Sequence, residues 1–489
     1  MTLDHLAPAP SAPARRRPSR APRRARAVVP TRYERALDSA GELAAVMAGA
    51  SRHARQTVAP RDERERTVVD VSAGVAGPAL TAWVLWTMRQ AQRDGVRRLY
   101  FLSRDGQILL DVARRLERTL KTGLDLRYLY GSRRAFYLAG NPERTLADAA
   151  RQEVCTADEL AAALGLPVGQ LTALAPGLGR AAEAGRPPDP REWSRLVAEL
   201  RGDAFAAAVA ESAAATRQAL LAYLDQEDWN DGTPSALVDV GWRGTSARAL
   251  ADALPAGCSM PEQLYYFGLL EDAHKKAGPD LAPLMAAWFF DAARGTGRLP
   301  YMRGTISLVE LFCSGDHGPV LGFASRDGVA GPLFGGERSA AAPWGLDLVR
   351  RTVSAVADAV AAALANGEAD PEADIRAAVD GVLRAFWLRP TQAEARHWGS
   401  FPVECSFSSA LSYPLAEPLG ARSLVRLLRR GGLRPRASWG EGTAALSAWP
   451  IRAALEAGWW LRDRLRARAP DAINSNPHIF LDRSGATKG

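Results

Sequence analysis

The chain has 489 residues, 47% of them hydrophobic, which is enough for two or three domains with real cores. Its formal net charge is +8, but residues 1–30 hold seven arginines against one acid, Asp4, so the rest is nearly neutral and has no nucleic-acid footprint. Four cysteines (Cys155, Cys258, Cys313, Cys405) stand far apart without metal-ligand spacing and the six histidines form no cluster, which excludes a protein-ligated zinc site and reads as free thiols in a reducing cytoplasm.

Residues 1–60 read as a basic disordered tail. The first 35 are rich in Pro, Ala and Arg, and 36–60 hold at most a loosely attached helix. No apolar stretch follows the arginines, so this is not a secretory signal. The uncharged run from Val71 to Met88 contains Gly74, Gly77 and Pro78. It predicts a buried helix from Pro78, with Leu80, Val84, Leu85 and Met88 inward, rather than a membrane span.

Residues 61–142 form the first half of an α/β core. The run from Arg98 to Leu102 is a buried strand that ends in Ser103, Arg104, Asp105 and Gly106. Ile108, Leu109, Val112, Ala113 and Leu116 then recur at helical spacing. A second strand, Leu126 to Tyr130, ends in Gly131, Ser132, Arg133 and Arg134. Strand, loop, helix and strand make a βαβ unit, the building block of parallel sheets.

Residues 143–230 are a helical insertion. Thr156 and Glu159 form a capping box, Pro187 to Pro190 break the segment, and Phe205 to Leu224 is a long Ala-rich helix. The second half of the core is 231–330. There Ala236 to Val238 lead to Asp239, then to Gly241, Arg243, Gly244, Thr245 and Ser246, and then to a helix through Leu254. Glu262 to Leu270 is another strand, and Leu308 to Phe312 and Pro319 to Phe323 are short apolar elements. Residues 331–470 are a helical C-terminal region. Val349, Val353, Val356, Val360 and Leu364 share one face, and a final helix with Trp459, Trp460 and Leu465 reads as core. Residues 471–489 are a tail.

The candidate site follows from strand ends. In open parallel sheets, ligands bind beyond the carboxyl ends of the strands. The loops at 103–106, 131–134 and 239–246 all lie there. Gly241 and Gly244 let the backbone approach an anion, and the following helix start offers unpaired N–H groups and the positive end of a dipole. Thr245 and Ser246 add hydroxyls, and Asp239 can hold sugar hydroxyls or a phosphate-bound metal ion. The alternative for Asp239 is capping of its own turn. Trp242 reads as a packing residue or lid, and Glu310 and His317 as buried hydrogen-bonded groups.

The run from Asp239 to Ser246 resembles the phosphoribosyl-pyrophosphate loop of type I phosphoribosyltransferases, in which two acids precede a loop ending in Thr-Gly-x-Thr. Asp239 matches the second acid, Gly244 the motif glycine and Ser246 the last hydroxyl. Val238 and Arg243 depart from the pattern. Arg104, Asp105 and Gly106 resemble that family's pyrophosphate loop, and Arg133 and Arg134 its basic strand end. The helical insertion is not typical of it. Segments from Ala76 to Phe323 also look like a bacterial family encoded beside surface-polysaccharide and glycosylation genes. Its members are commonly labelled predicted haloacid-dehalogenase-type hydrolases, a label owed to an N-terminal domain that residues 1–67 do not supply.

These resemblances imply an α/β fold with a parallel, Rossmann-like and phosphoribosyltransferase-like sheet. They imply a Mg²⁺-dependent cytoplasmic transferase that moves a 5-phosphoribosyl or related phosphosugar group from its pyrophosphate donor to an unidentified acceptor in glycan or natural-product biosynthesis. Asp239, Arg104 and Asp105 would be catalytic. Ser103, Gly106, Ser132, Arg133 and Arg134 would bind pyrophosphate, and Gly241, Arg243, Gly244, Thr245 and Ser246 the 5-phosphate. Asp239 would reach the metal only through sugar or water. A second reading is a phosphosugar phosphatase using Asp105, although Gln107 stands where that chemistry wants a second carboxylate. A third is a nucleic-acid-binding regulator, because residues 156–167 resemble the first half of a helix-turn-helix. The segment that follows lacks basic residues for phosphate and base contacts.

Overall fold

A computed structural model describes residues 29–145, 156–179, 183, 188–199, 201–296, 302–336, 338–405, 408–429 and 439–468. The predicted basic segment 1–28 and the tail 471–489 lie outside them, as does the Pro187 end of the predicted break.

The described chain opens with α1 (Arg32–Asp38) and α2 (Glu42–Thr57). These correct the expectation of a tail running to residue 60. A capping box between Thr31 and Glu34 starts α1, and Tyr33, Leu37, Leu43, Ala44 and Met47 are buried. Their helical spacing was hidden beside the Arg- and Pro-rich stretch. Glu34, fully buried, accepts from Ser51 Oγ and Arg55 Nη1, both at 3.0 Å, and Tyr33 donates to Glu394 at 2.6 Å. Next come α3 (Glu63–Val71), a π-helical turn (Ser72–Ala76) and α4 (Gly77–Arg93). They form one continuous helix, Glu63–Arg93, long and apolar enough to cross a membrane, yet 94% of its apolar window is buried inside the protein. The predicted inward residues Leu80, Val84, Leu85 and Met88 are all in the core.

The sheet elements follow: β1 (Arg98–Leu102), α5 (Gly106–Leu120), β2 (Asp125–Leu129) and α6 (Arg133–Gly140). The insertion contributes α7 (Ala157–Leu164), α8 (Val168–Leu174), α9 (Pro190–Glu199) and α10 (Asp203–Gln226). It holds its own apolar cluster around Leu160, Leu164, Leu171, Leu196 and Phe205, and the predicted Thr156–Glu159 capping box is present. The core resumes with β3 (Ser235–Trp242), α11 (Thr245–Ala253), β4 (Gln263–Leu269), α12 (Ala273–Ala277) and β5 (Met285–Asp291). Then come α13 (Met302–Phe312) and a hairpin of β6 (Val320–Arg326) and β7 (Val329–Phe334).

The five strands β1 to β5 form one sheet in the order β2-β1-β3-β4-β5, with every neighbouring pair parallel. The fold is therefore α/β, with the Rossmann-like parallel sheet expected from the sequence. Helices cover both faces. Residues Ala236, Val238, Val240 and Trp242 of β3 join one core with α4, α5 and α13, whereas Leu237 joins a second with α6, α10 and α11. Period-two alternation places Asp239 on the face of Leu237. Each large side chain fully buried here, such as Trp83, Phe101 or Phe267, stabilises the fold by about 1.5–3 kcal/mol.

The C-terminal region adds α14 (Leu346–Ala365), α15 (Arg376–Trp387), α16 (Gln392–Gly399), the hairpin β8 (Pro402–Cys405) and β9 (Ser408–Pro414), α17 (Ala421–Arg429), α18 (Gly440–Leu446) and α19 (Trp449–Arg468). The apolar stripe Val349, Val353, Val356 and Val360 of α14 is buried in the same core as α2, α4 and α5. One expectation fails here: Trp460 on α19 is exposed rather than core.

Candidate functional site

The strand order reverses direction between β1 and β3, and an open α/β sheet binds ligands at that switch point. The loops after β2, β1 and β3 lie side by side there because the three strands are neighbours. Asp105 sits at the first turn of α5 without capping it. Gly106 turns the chain back so tightly that a Cβ there would lie 2.6 Å from the Phe101 carbonyl carbon. In β3, Gly241 has φ +145° and a Cβ there would meet the Gly268 carbonyl oxygen at 2.5 Å, so glycine is required. The Ser103–Arg104 and Gly241–Trp242 peptide bonds, one in each loop, are both cis.

Three carboxylates converge on this point. Asp239 is buried, and burial lifts its pKa to about 7, against the opposing pull of the Gly241 and Val240 N–H groups it accepts. Asp105 is held well above its usual range, first by burial, then by the negative fields of Glu310 and Asp239, with Arg104 opposing. Glu310, from α13, is open to solvent within a recess whose walls also raise its pKa; Trp242 and Arg133 pull the other way. Trp242 Nε1 donates to Glu310 Oε1 at 2.9 Å. The Tyr266 hydroxyl, fully buried across from Asp239 in the sheet register, has no hydrogen-bond partner among the described residues.

A second group closes the β2 side. His317 Nδ1 donates to the Gly318 carbonyl at 2.7 Å, which leaves Nε2 to accept from the Tyr128 hydroxyl at 2.7 Å. Burial lowers the His317 pKa, so the neutral tautomer fits both bonds. Arg350 of α14 reaches Gln107 Oε1 at 2.6 Å, Asp111 at 2.7 Å and Asp316 at 3.1 Å. It ties the C-terminal helices to the first turn of α5.

The site residues expected from sequence divide in two. Arg104, Asp105, Gly106, Arg133, Asp239 and Gly241 gather around the carboxylates. Gly244, in left-handed conformation, precedes Thr245 and Ser246 at the start of α11, and no side chain caps that helix. The others have structural work. Ser103 Oγ clasps Gly131, donating to its carbonyl at 2.7 Å and accepting from its N–H at 2.9 Å. Ser132 caps α6 and donates to the Val320 carbonyl. Arg134 turns away to the Glu159 carbonyl of the insertion at 2.9 Å, and Arg243 pairs with Asp272 at 3.0 Å. Expecting all four to bind phosphate treated every polar group at a strand end as free for ligand.

Glu310 was expected as a buried hydrogen-bonded group. It does accept from Trp242, but the residue is exposed and not buried. No binding role was expected of it, of Gln107 or of Arg350. An acid inside the apolar run Leu308 to Phe312 is the one signal that marked Glu310. Gln107 and Arg350 carried none, because their meeting depends on helix packing.

No protein-family model matches this chain, and no curated protein matches it.

Proposed function

We propose that the chain is a transferase acting on a phosphorylated sugar donor of the phosphoribosyl-pyrophosphate type. The observation that carries this reading is the convergence of Asp105, Asp239 and Glu310, all with raised pKa values, at the switch point beside Arg104 and Arg133. Closely set carboxyl groups that raise one another's pKa give up their protons as positive charge develops beside them, which suits a sugar that becomes cationic, and guanidinium groups suit an anionic leaving group. The start of α11 suits a terminal phosphate, and the unpartnered Tyr266 hydroxyl suits a ligand group that completes it.

In the reaction the C1–O bond to pyrophosphate breaks and the leaving group takes the electron pair. The acceptor nucleophile bonds to C1 and gives up its proton. Asp239, with a pKa near neutrality, is matched to receive that proton. Arg104 and Arg133 steady the departing charge. Among the described residues no group of three metal-ligating side chains is arranged to hold an ion. The hard oxygen donors fit Mg²⁺ only as a partner that arrives with the donor and neutralises its phosphates.

A thermal-shift titration with phosphoribosyl pyrophosphate, with and without Mg²⁺, tests this. Saturable, Mg²⁺-dependent stabilisation is expected, and no shift at millimolar donor overturns it. One observation favours a second reading: Glu310 lies beside Asp105 and supplies the second carboxylate that Gln107 does not. Phosphate release from simple phosphomonoesters, lost in both Asp105→Asn and Glu310→Gln, would mark a phosphatase instead.

A further inference from the structure

Four tyrosines stand on strands of the parallel sheet, and three have partnered hydroxyls. Tyr100 donates to the Glu227 carbonyl at 2.8 Å, Tyr128 to His317 at 2.7 Å and Tyr265 to Asp94 at 2.7 Å. The fourth, Tyr266, is 1% exposed, and its hydroxyl has no partner among the described residues. Among the buried side-chain polar atoms of the described residues that lack a partner, it is the only one on a strand of the sheet.

Tyr266 and Asp239 are partners in the parallel β3–β4 ladder, so their side chains share a face, with backbones about 5 Å apart. Burial, and after it the charge of Asp239, holds the Tyr266 proton in place. Just past Tyr266 the β4–β5 pairing slips: the step from Tyr266 to Gly268 is matched by the longer step from Ala287 to Phe290. An irregularity of this kind re-aims side chains and recurs beside active sites.

The two groups together define what would complete them. Ionised Asp239 only accepts; it takes the Gly241 and Val240 N–H groups and has lone pairs left. Tyr266 has a proton to donate. One group that serves both gives a proton to the carboxylate and accepts one from the phenol. An ionised phosphate oxygen has no proton to give and an ammonium group no lone pair to offer, whereas a hydroxyl does both. Asp239 serves the sugar C1 in the proposed reaction, and the sugar hydroxyl nearest to C1 is the one on C2.

Building on the transferase reading, we propose that Tyr266 is a specificity-determining residue, whose hydroxyl binds the sugar 2-hydroxyl jointly with Asp239 and so selects a ribosyl over a 2-deoxyribosyl donor.

Calorimetric titration of the full chain tests this, with phosphoribosyl pyrophosphate and Mg²⁺, with ribose 5-phosphate and with 2-deoxyribose 5-phosphate, in the wild type and in Tyr266→Phe. The wild type is expected to bind ribose 5-phosphate at least roughly tenfold more tightly than the 2-deoxy sugar, which leaves buried polar groups unpaired. In Tyr266→Phe the gap is expected to shrink to about threefold or less, the share left to Asp239. The free variant is expected to melt at or above the wild type, since it loses a buried hydroxyl that had no partner. Equal affinity of the wild type for the two sugar phosphates overturns the proposal, and so does an undiminished gap in the variant; binding of phosphoribosyl pyrophosphate in either case leaves the transferase reading in place. A variant that melts well below the wild type and keeps the gap also overturns it, and assigns the hydroxyl to a buried structural water. No binding of any of the three compounds to the wild type overturns the transferase reading and the role of Tyr266 with it.

Discussion

Trp242 at the end of β3 donates its indole N–H to Glu310 of α13 at 2.9 Å. The bond joins the central strand of the sheet to the helix that carries the third carboxylate. The indole is itself fixed, stacked on Phe290 with ring centroids 6.0 Å apart and edge-on to Phe267. Glu310 is thus aimed by the core although its carboxylate is open to the recess.

Trp242→Phe keeps most of the packing and removes the donor. The indole holds the Glu310 pKa down, so its loss drives that pKa further up. For a carboxyl raised in the folded state, stability is fully present below the unfolded pKa and falls as pH rises through the folded one. The variant is expected to lose about 1 kcal/mol, with a larger loss at pH 8 than at pH 5. Denaturant titration at the two pH values checks this; a pH-independent loss would remove the hydrogen bond from the account.

Asp239→Asn has the opposite sign. An unfolded Asp ionises near pH 3.8, whereas folded Asp239 does so near 7. Between those values the folded state binds more protons, so its stability declines as pH rises from about 4 through 7, by on the order of a few kcal/mol. The Asn variant lacks this decline. Its melting temperature is expected to exceed that of the wild type at pH 8, with the gap closing toward pH 4. Turnover is expected to fall more than donor affinity, because the carboxylate acts in the transition state. A gap that does not change with pH would show that Asp239 is not the buried titrating group.

The fold was legible where local pattern and burial agree. The strand at Arg98–Leu102, the strand and acid at 235–239, and the long helix through Phe205 carry their own periodicity, and βαβ logic supplies the parallel sheet. The α1–α2 pair was lost because composition over residues 1–35 outweighed the spacing of Leu37, Leu43, Ala44 and Met47. Much of their cover comes from α14 and α15, some three hundred positions later. The site was legible in half. Asp105, Asp239 and Gly241 are marked by strand ends, but which polar neighbours remain for ligand depends on tertiary partners. Ser132 is taken by the Val320 carbonyl and Arg134 by the Glu159 carbonyl, and neither partner is near in sequence. Trp460 shows the reverse limit: an aromatic at helical spacing does not tell which side the protein covers.

Gly106→Ala is expected to disable the fold at the site. The new methyl would lie 2.6 Å from the Phe101 carbonyl carbon and 2.9 Å from its oxygen. Backbone cannot yield as a flexible side chain does, so the cost is expected to reach or exceed the roughly 1–3 kcal/mol typical of overpacking. Gly381→Ala is the control. It lies in α15 with nothing within 4 Å of the added carbon, and it should stabilise by about 0.5–1 kcal/mol through helix propensity. Equal effects of the two in thermal melts would mean that the turn at Gly106 is not tight.

Arg133 and Arg134 are adjacent, yet they should separate cleanly. Arg133 is exposed and its charge is felt by Glu310 in the recess. Arg134 is partly buried and bonded to the insertion through the Glu159 carbonyl. In Arg133→Ala the fold keeps its stability, while affinity for an anionic donor falls about tenfold, as loss of one charge-assisted contact predicts. In Arg134→Ala affinity changes little, but the insertion loosens and the melting temperature drops. Donor titration beside thermal melting of both variants reads the two effects independently. If Arg134→Ala alone lost donor binding, the basic strand end would face the ligand in the opposite sense, and the insertion would belong to the binding site rather than to its support.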